Sequence, residues 1–131
     1  MPATERAIEL AQLAAAAADD KKASDIVAFD VADRLAITDV FVLCSAGSER
    51  QVDAVVDAIH ERLLAVGAKP IRSEGQKESR WVLLDYADVV IHVQHTDERE
   101  FYSLERLWRD CPQIELPEAV AAGAPDTGAE A

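Results

Sequence analysis

Residues 81–94, WVLLDYADVVIHVQ, decide the fold. Two runs rich in Val, Leu and Ile flank Ala87-Asp88, so the stretch reads as a β-hairpin in which those two residues turn and residues 81–86 pair with 89–94. Side chains alternate across a strand. One face therefore holds Val82, Leu84, Tyr86, Val89, Ile91 and Val93, and the other holds Trp81, Leu83, Asp85, Val90, His92 and Gln94. The first is a core face. The second mixes an indole, a carboxylate and an imidazole, an unusual set to leave on a merely solvated surface. A slip of one residue would exchange partners across the hairpin while each strand kept its own alternation.

Beyond the hairpin, Thr96 caps a third helix whose first turn carries Asp97 and Glu98, where carboxylates suit the positive end of the helix dipole. Its apolar positions are Phe101, Leu104, Leu107 and Trp108, and Pro112 forbids continuation. Phe101, Leu104 and Leu107 are assigned to the core, whereas Trp108 fits core or surface. After Pro117 the chain is Ala, Gly, Pro and acid with little to bury, and residues 117–131 are expected to form a disordered acidic tail.

Upstream, the first helix runs from Thr4 to about Asp19 on a thin stripe rich in alanine, which permits close packing. Residues 25–31 read as a first strand. Residues 39–45 contain Val40, Phe41, Val42 and Leu43 without alternation, the mark of a strand buried on both faces and central in its sheet. Ser48 and Gln51 form a capping box for a second helix with Val52, Val55, Val56, Ile59 and Leu63 on one stripe, and Gly67 stops it. A short strand at residues 70–73 leads into a flexible polar stretch, 74–79, containing Gly75. The order predicts an α/β sandwich: a mixed sheet of about five strands and three main helices, with helices over the hairpin's apolar face.

The 131-residue length suits one domain, over residues 1–116. A formal charge of −12 argues against direct nucleic-acid binding, which draws affinity from Lys and Arg displacing counterions. Cys44 and Cys111 have no metal-ligand spacing and form no disulfide framework, so they read as reduced thiols. There is no secretory signal and nothing approaching the roughly 20 apolar residues of a membrane span, so the expectation is a soluble cytoplasmic protein.

Several blocks, in order, resemble the ribosomal silencing factor S family, also called iojap-like: residues 37–45 (ITDVFVLCS), 50–52 (RQV), 74–75 (EG), 81–86 (WVLLDY), 88–93 (DVVIHV) and 99–108 (REFYSLERLW). The similarity covers about residues 7–112. Ala46 stands where relatives commonly have Gly, and the acidic tail lies outside the shared region. The resemblance implies a nucleotidyltransferase-like fold without catalytic carboxylates, no enzymatic activity and no cofactor or metal. It also implies homodimerisation off the ribosome and docking on the large ribosomal subunit through ribosomal protein L-fourteen. Bound there, a small domain would block joining of the small subunit by bulk and repress translation initiation when nutrients are scarce. The chain's charge suits a basic protein partner over rRNA.

The partner-binding set is Trp81, Asp85, Tyr86, His92, Arg99, Tyr102, Glu105 and Trp108. Trp81 could be a lid on the core edge, but with Asp85 and His92 on its face it reads as an interface anchor, as does Tyr102. Asp88 suits a local turn role, and Asp85 is assigned to the basic partner. His92 and His95 fall on opposite strand faces, which argues against a shared metal and leaves His92 to hydrogen-bond or stack. Arg99, Tyr102 and Glu105 either pair structurally within the helix or continue the hairpin's surface. Three alternatives remain. A nucleotidyltransferase would use Gly47-Ser48, but the nearby acids Glu49, Asp53, Asp57 and Glu61 are spaced along a helix with no Asp-x-Asp on a strand. A thiol enzyme would need a thiolate at Cys44 in an apolar run. The third is a homodimeric scaffold with no ribosomal role.

Overall fold

The computed structural model describes residues 2–117; the expected tail from residue 118 onward lies outside them. The element order is α1 (Glu5–Asp20), β1 (Ser24–Asp30), β2 (Val40–Ala46), α2 (Glu49–Leu64), β3 (Arg72–Glu74), β4 (Trp81–Asp85), β5 (Val89–His95), α3 (Thr96–Tyr102) and α4 (Glu105–Trp108). The strands form one five-stranded sheet in the order β1-β2-β5-β4-β3. Only β2 and β5 run parallel; the other neighbours are antiparallel, so the sheet is mixed as expected. β2 is an interior strand, but the middle position belongs to β5.

The hairpin has the register its sequence dictates: Val82 opposes Val93, Leu83 opposes His92 and Asp85 opposes Val90. Its apolar face enters the main core, where Val82, Leu84, Tyr86, Val89, Ile91 and Val93 meet α1 and α2. Ala7, Ala11, Ala14, Ala15, Ala17 and Ala18 of α1 are all buried, and their methyl-sized side chains let the helix backbone lie close to the sheet and to α2. Each buried apolar side chain of ordinary size contributes about 1.5–3 kcal/mol, so this face supplies most of the driving force.

At α2, Ser48 Oγ accepts from Gln51 N at 3.1 Å as the capping signal requires. The return half of the box differs, because Gln51 Oε1 accepts from Gly47 N at 2.9 Å and its amide nitrogen donates to the carbonyls of Lys21 and Lys22. Gln51 thus ties the start of α2 to the α1–β1 turn. Gly67, at φ 84, follows the end of the helix.

Three expectations need correction downstream of the hairpin. The cap of α3 is His95, whose Nδ1 accepts from Asp97 N at 3.1 Å, and Thr96 is the first helical residue. The third helix is broken: Ser103 adopts left-handed geometry (φ 47, ψ 52) between α3 and α4. That break changes which side chains face inward, so Phe101 and Leu107 are 81% and 60% exposed instead of core, while Leu104 packs against the sheet.

Candidate partner-binding face

The sheet face away from α1 and α2 carries the second side of the hairpin, and the structure sorts the expected residues there by depth. A smaller core of Phe29, Val31, Leu43 and Cys111, with Val27, Leu35, Phe41, Leu104 and Trp108 packed on it, covers the β1–β2 end. Beside it runs an aromatic series. Trp108 meets Phe41 edge-on at 4.9 Å, Phe41 meets His92 at 5.1 Å, Trp81 lies 6.0 Å from His92, Tyr102 packs on Trp81 at 4.8 Å, and Phe101 stands at right angles to Tyr102 at 4.9 Å. Tilted and edge-to-face contacts suit the ring quadrupoles. The series is buried at its middle, where His92 is 6% exposed, and reaches solvent at Tyr102, 51% exposed.

His92 does the hydrogen bonding and stacking expected of it. Trp81 Nε1 donates to its Nδ1 at 3.0 Å. Burial pushes the imidazole pKa down to about 4, so it is neutral, with its proton on Nε2. Arg99, also buried, donates from Nε to both carboxylate oxygens of Glu105 at 3.2 and 3.1 Å. The structural pairing is therefore the one adopted by these two residues in the free chain.

Asp85 has a local role. Its Oδ1 accepts from Ala87 N at 2.9 Å, and its other oxygen lies 3.6 Å from Arg72, so the turn duty expected of Asp88 falls to Asp85. Tyr86 lies in the main core at 6% exposure, which takes its ring off the candidate face. Trp81, Tyr102, Glu105 and Trp108 remain within reach of solvent, and Phe101 joins them.

Two features went unread in the sequence. Gly75, at φ +90, sits so close to β4 that an added Cβ would come within 2.0 Å of the Trp81 carbonyl oxygen. Ser79, buried in the same loop, hydrogen-bonds through Oγ to Asp53 of α2, and its amide donates to Gly75 O. Then Arg80 pairs with Glu49 at 3.0 Å and Glu98 at 2.8 Å, linking the starts of α2 and α3 to the residue just before β4. Residues 75–80 are thus a strap that fixes where Trp81 begins. The Glu74-Gly75 pair carried the signal, but a close backbone approach has no side-chain pattern.

The groups named for the two enzymatic alternatives sit in defined surroundings. Cys44 is fully buried and desolvation raises its pKa to about 12, which keeps the thiol protonated. Glu49 and Asp53, near Gly47-Ser48, are engaged by Arg80 and Ser79. Among the described residues no group of three or more His, Cys, Asp or Glu is placed to hold a metal ion, and no helix is long and apolar enough to cross a membrane.

The chain is a mixed five-stranded α/β domain with one sheet face closed by helices and the other carrying a partly exposed aromatic series. The family profile described as "Ribosomal silencing factor during starvation" matches residues 4–131, beyond the stretch 7–112 carried by the sequence blocks and including the tail. The chain is 45% identical over 108 residues to "Ribosomal silencing factor RsfS" of Halalkalibacterium halodurans, covering 82% of this chain and 92% of that protein. It is 44% identical to the protein of the same name from Bacillus subtilis, covering 80% and 89% respectively. A crystal structure of a Chromobacterium violaceum protein superposes with a TM-score of 0.74 at 33% identity, covering 77% of this chain and 84% of that one. The chain belongs to the ribosomal silencing factor family.

Proposed function

We propose that this chain represses translation by docking on the large ribosomal subunit through the basic ribosomal protein L-fourteen, so that the small subunit is excluded by bulk when nutrients are scarce. The observation that carries the reading is the pairing of Tyr102, 51% exposed, with Trp81 at 4.8 Å on the sheet face not covered by α1 and α2. Aromatic side chains partly buried in the free protein and completed by a partner are the usual anchors of an interface. A net charge of −12 favours encounter with a basic protein over contact with phosphate. The role is that of a cytoplasmic, non-enzymatic binder, homodimeric when off the ribosome.

The test is co-sedimentation of the purified chain with isolated large subunits, followed by a subunit-joining assay, for wild type and Trp81→Ala with folding checked separately. Binding that blocks joining, and is lost in the folded variant, supports occlusion through this face. Absence of wild-type binding at low salt would remove the ribosomal reading and leave a homodimeric interaction module.

A further inference from the structure

The helix that carries Tyr102, α3, sits over the sheet without a buried apolar side chain of its own. Its one buried residue is Arg99, which pairs with Glu105, and Phe101 is 81% exposed. The nearest apolar anchor, Leu104, comes only after the left-handed break at Ser103. Polar and aromatic contacts therefore place this helix. His95 caps its start, and two consecutive residues grip it further along: Arg80 Nη2 donates to Glu98 Oε1 at 2.8 Å, and the Trp81 indole packs on Tyr102 at 4.8 Å. Glu98 and Tyr102 are four residues apart, which makes them neighbours on one helical face. Two grips one turn apart fix both the rotation of α3 and its position along its axis.

Arg80 is well suited to the first grip. Its carbonyl accepts from His95 N at 2.7 Å, Nη1 donates to Glu49 of α2 at 3.0 Å, and Nη2 also lies 3.6 Å from Asp97. An isolated surface ion pair contributes little, but one guanidinium shared by three carboxylates on two helices is a network. Without its charge, Glu49, Asp97 and Glu98 would be left to repel one another.

We infer that Arg80 is a positioning residue of the docking face: it holds α3 through Glu98 and so sets Tyr102 against Trp81 before any partner arrives. Tyr102 ordered in advance spares the complex the cost of ordering it. The effect on binding rests on the ribosomal reading, whereas the positioning itself belongs to the free chain.

Proton NMR of the free chain tests the positioning alone. The Tyr102 ring lies in the ring current of Trp81, which displaces its resonances from those of the unfolded chain. Arg80→Gln and Glu98→Gln should each shrink that displacement, with no further change in the double variant. Unchanged Tyr102 resonances in a folded Arg80→Gln overturn the inference, and Glu98→Gln gives the same test should Arg80→Gln not fold. With large subunits, each single variant should bind about three-fold or more weakly, because fewer chains hold Tyr102 in place, and the double variant no more weakly than either. Additive losses would mean that the two side chains meet the partner separately, which overturns the positioning role. Undiminished binding by Arg80→Gln overturns the effect on docking and leaves the ribosomal reading intact. No wild-type binding removes that reading, and the positioning is then judged by the spectrum.

Discussion

The indole N–H of Trp81 donates to Nδ1 of His92 at 3.0 Å, diagonally across the β4–β5 ladder. The bond fixes the imidazole tautomer, and the imidazole in turn fixes the plane of the indole. A half-buried indole is thus oriented by a buried imidazole.

His92 makes stability depend on pH in a defined window. Its folded pKa is about 4 against an ordinary 6.5, so the unfolded chain takes up this proton first. The contribution is complete above about 6.5, declines as pH falls, and levels off below about 4, with a span on the order of 3 kcal/mol. Urea midpoints of wild type and His92→Asn should therefore converge on acidification across that window. Parallel profiles would show that the imidazole is not buried neutral.

Tyr102→Ala separates binding from folding. The ring is half exposed, so the unfolding midpoint should barely move, by less than about 1 kcal/mol. Affinity for the large subunit should fall by about 2 kcal/mol, roughly thirty-fold, mostly through faster dissociation measured by surface-immobilised kinetics. Raising salt should instead slow association, because the chain's negative charge acts at a distance.

Gly75 and Gly67 should respond differently to alanine although both lie at positive φ. At Gly67 a Cβ meets nothing within 4 Å, so the cost is the backbone term of about 1 kcal/mol. At Gly75 the Trp81 carbonyl must move as well, and the loss should exceed about 2 kcal/mol in equilibrium denaturation. Gly75→Ala should also shift the tryptophan emission, as the strap displaces the start of β4.

Ala87 is a turn residue held at φ 71, a region that suits glycine. Ala87→Gly is expected to stabilise the chain by about 0.5–1 kcal/mol, read as a raised denaturation midpoint. A lowered midpoint would mean that unfolded-state entropy outweighs the relieved strain.

The hairpin was legible because two independent signals agree there: alternation in residues 81–94 and a two-residue turn of the right length. Val82, Leu84, Ile91 and Val93 have no other consistent placement. The second helix was legible for the same reason, with stripe and cap in agreement, and the first from its alanine-rich stripe alone. Residues 96–108 were not, since Ser103 bears no Gly or Pro to announce a left-handed break, and continuing the helical period through it turned Phe101 and Leu107 inward. Trp81, His92 and Tyr102 could be named from their types, but the depth of His92 and the enclosure of Gln94 depend on that break. Tyr86 was assigned to both faces, and packing resolves it to the core.

The middle strand of the sheet, β5, is also the last strand among the described residues. During synthesis the β1–β2 pair and the β3–β4 pair emerge as two separate antiparallel pieces, each with an unfilled edge. No strand pairing joins them until residues 89–95 leave the exit tunnel and insert between Val40–Ala46 and Trp81–Asp85. Long-range pairing of this kind is slow to form. A nascent chain stalled before that point carries Trp81 but lacks His92 to orient it, so the completed aromatic face becomes available only after nearly all of the described domain has been translated.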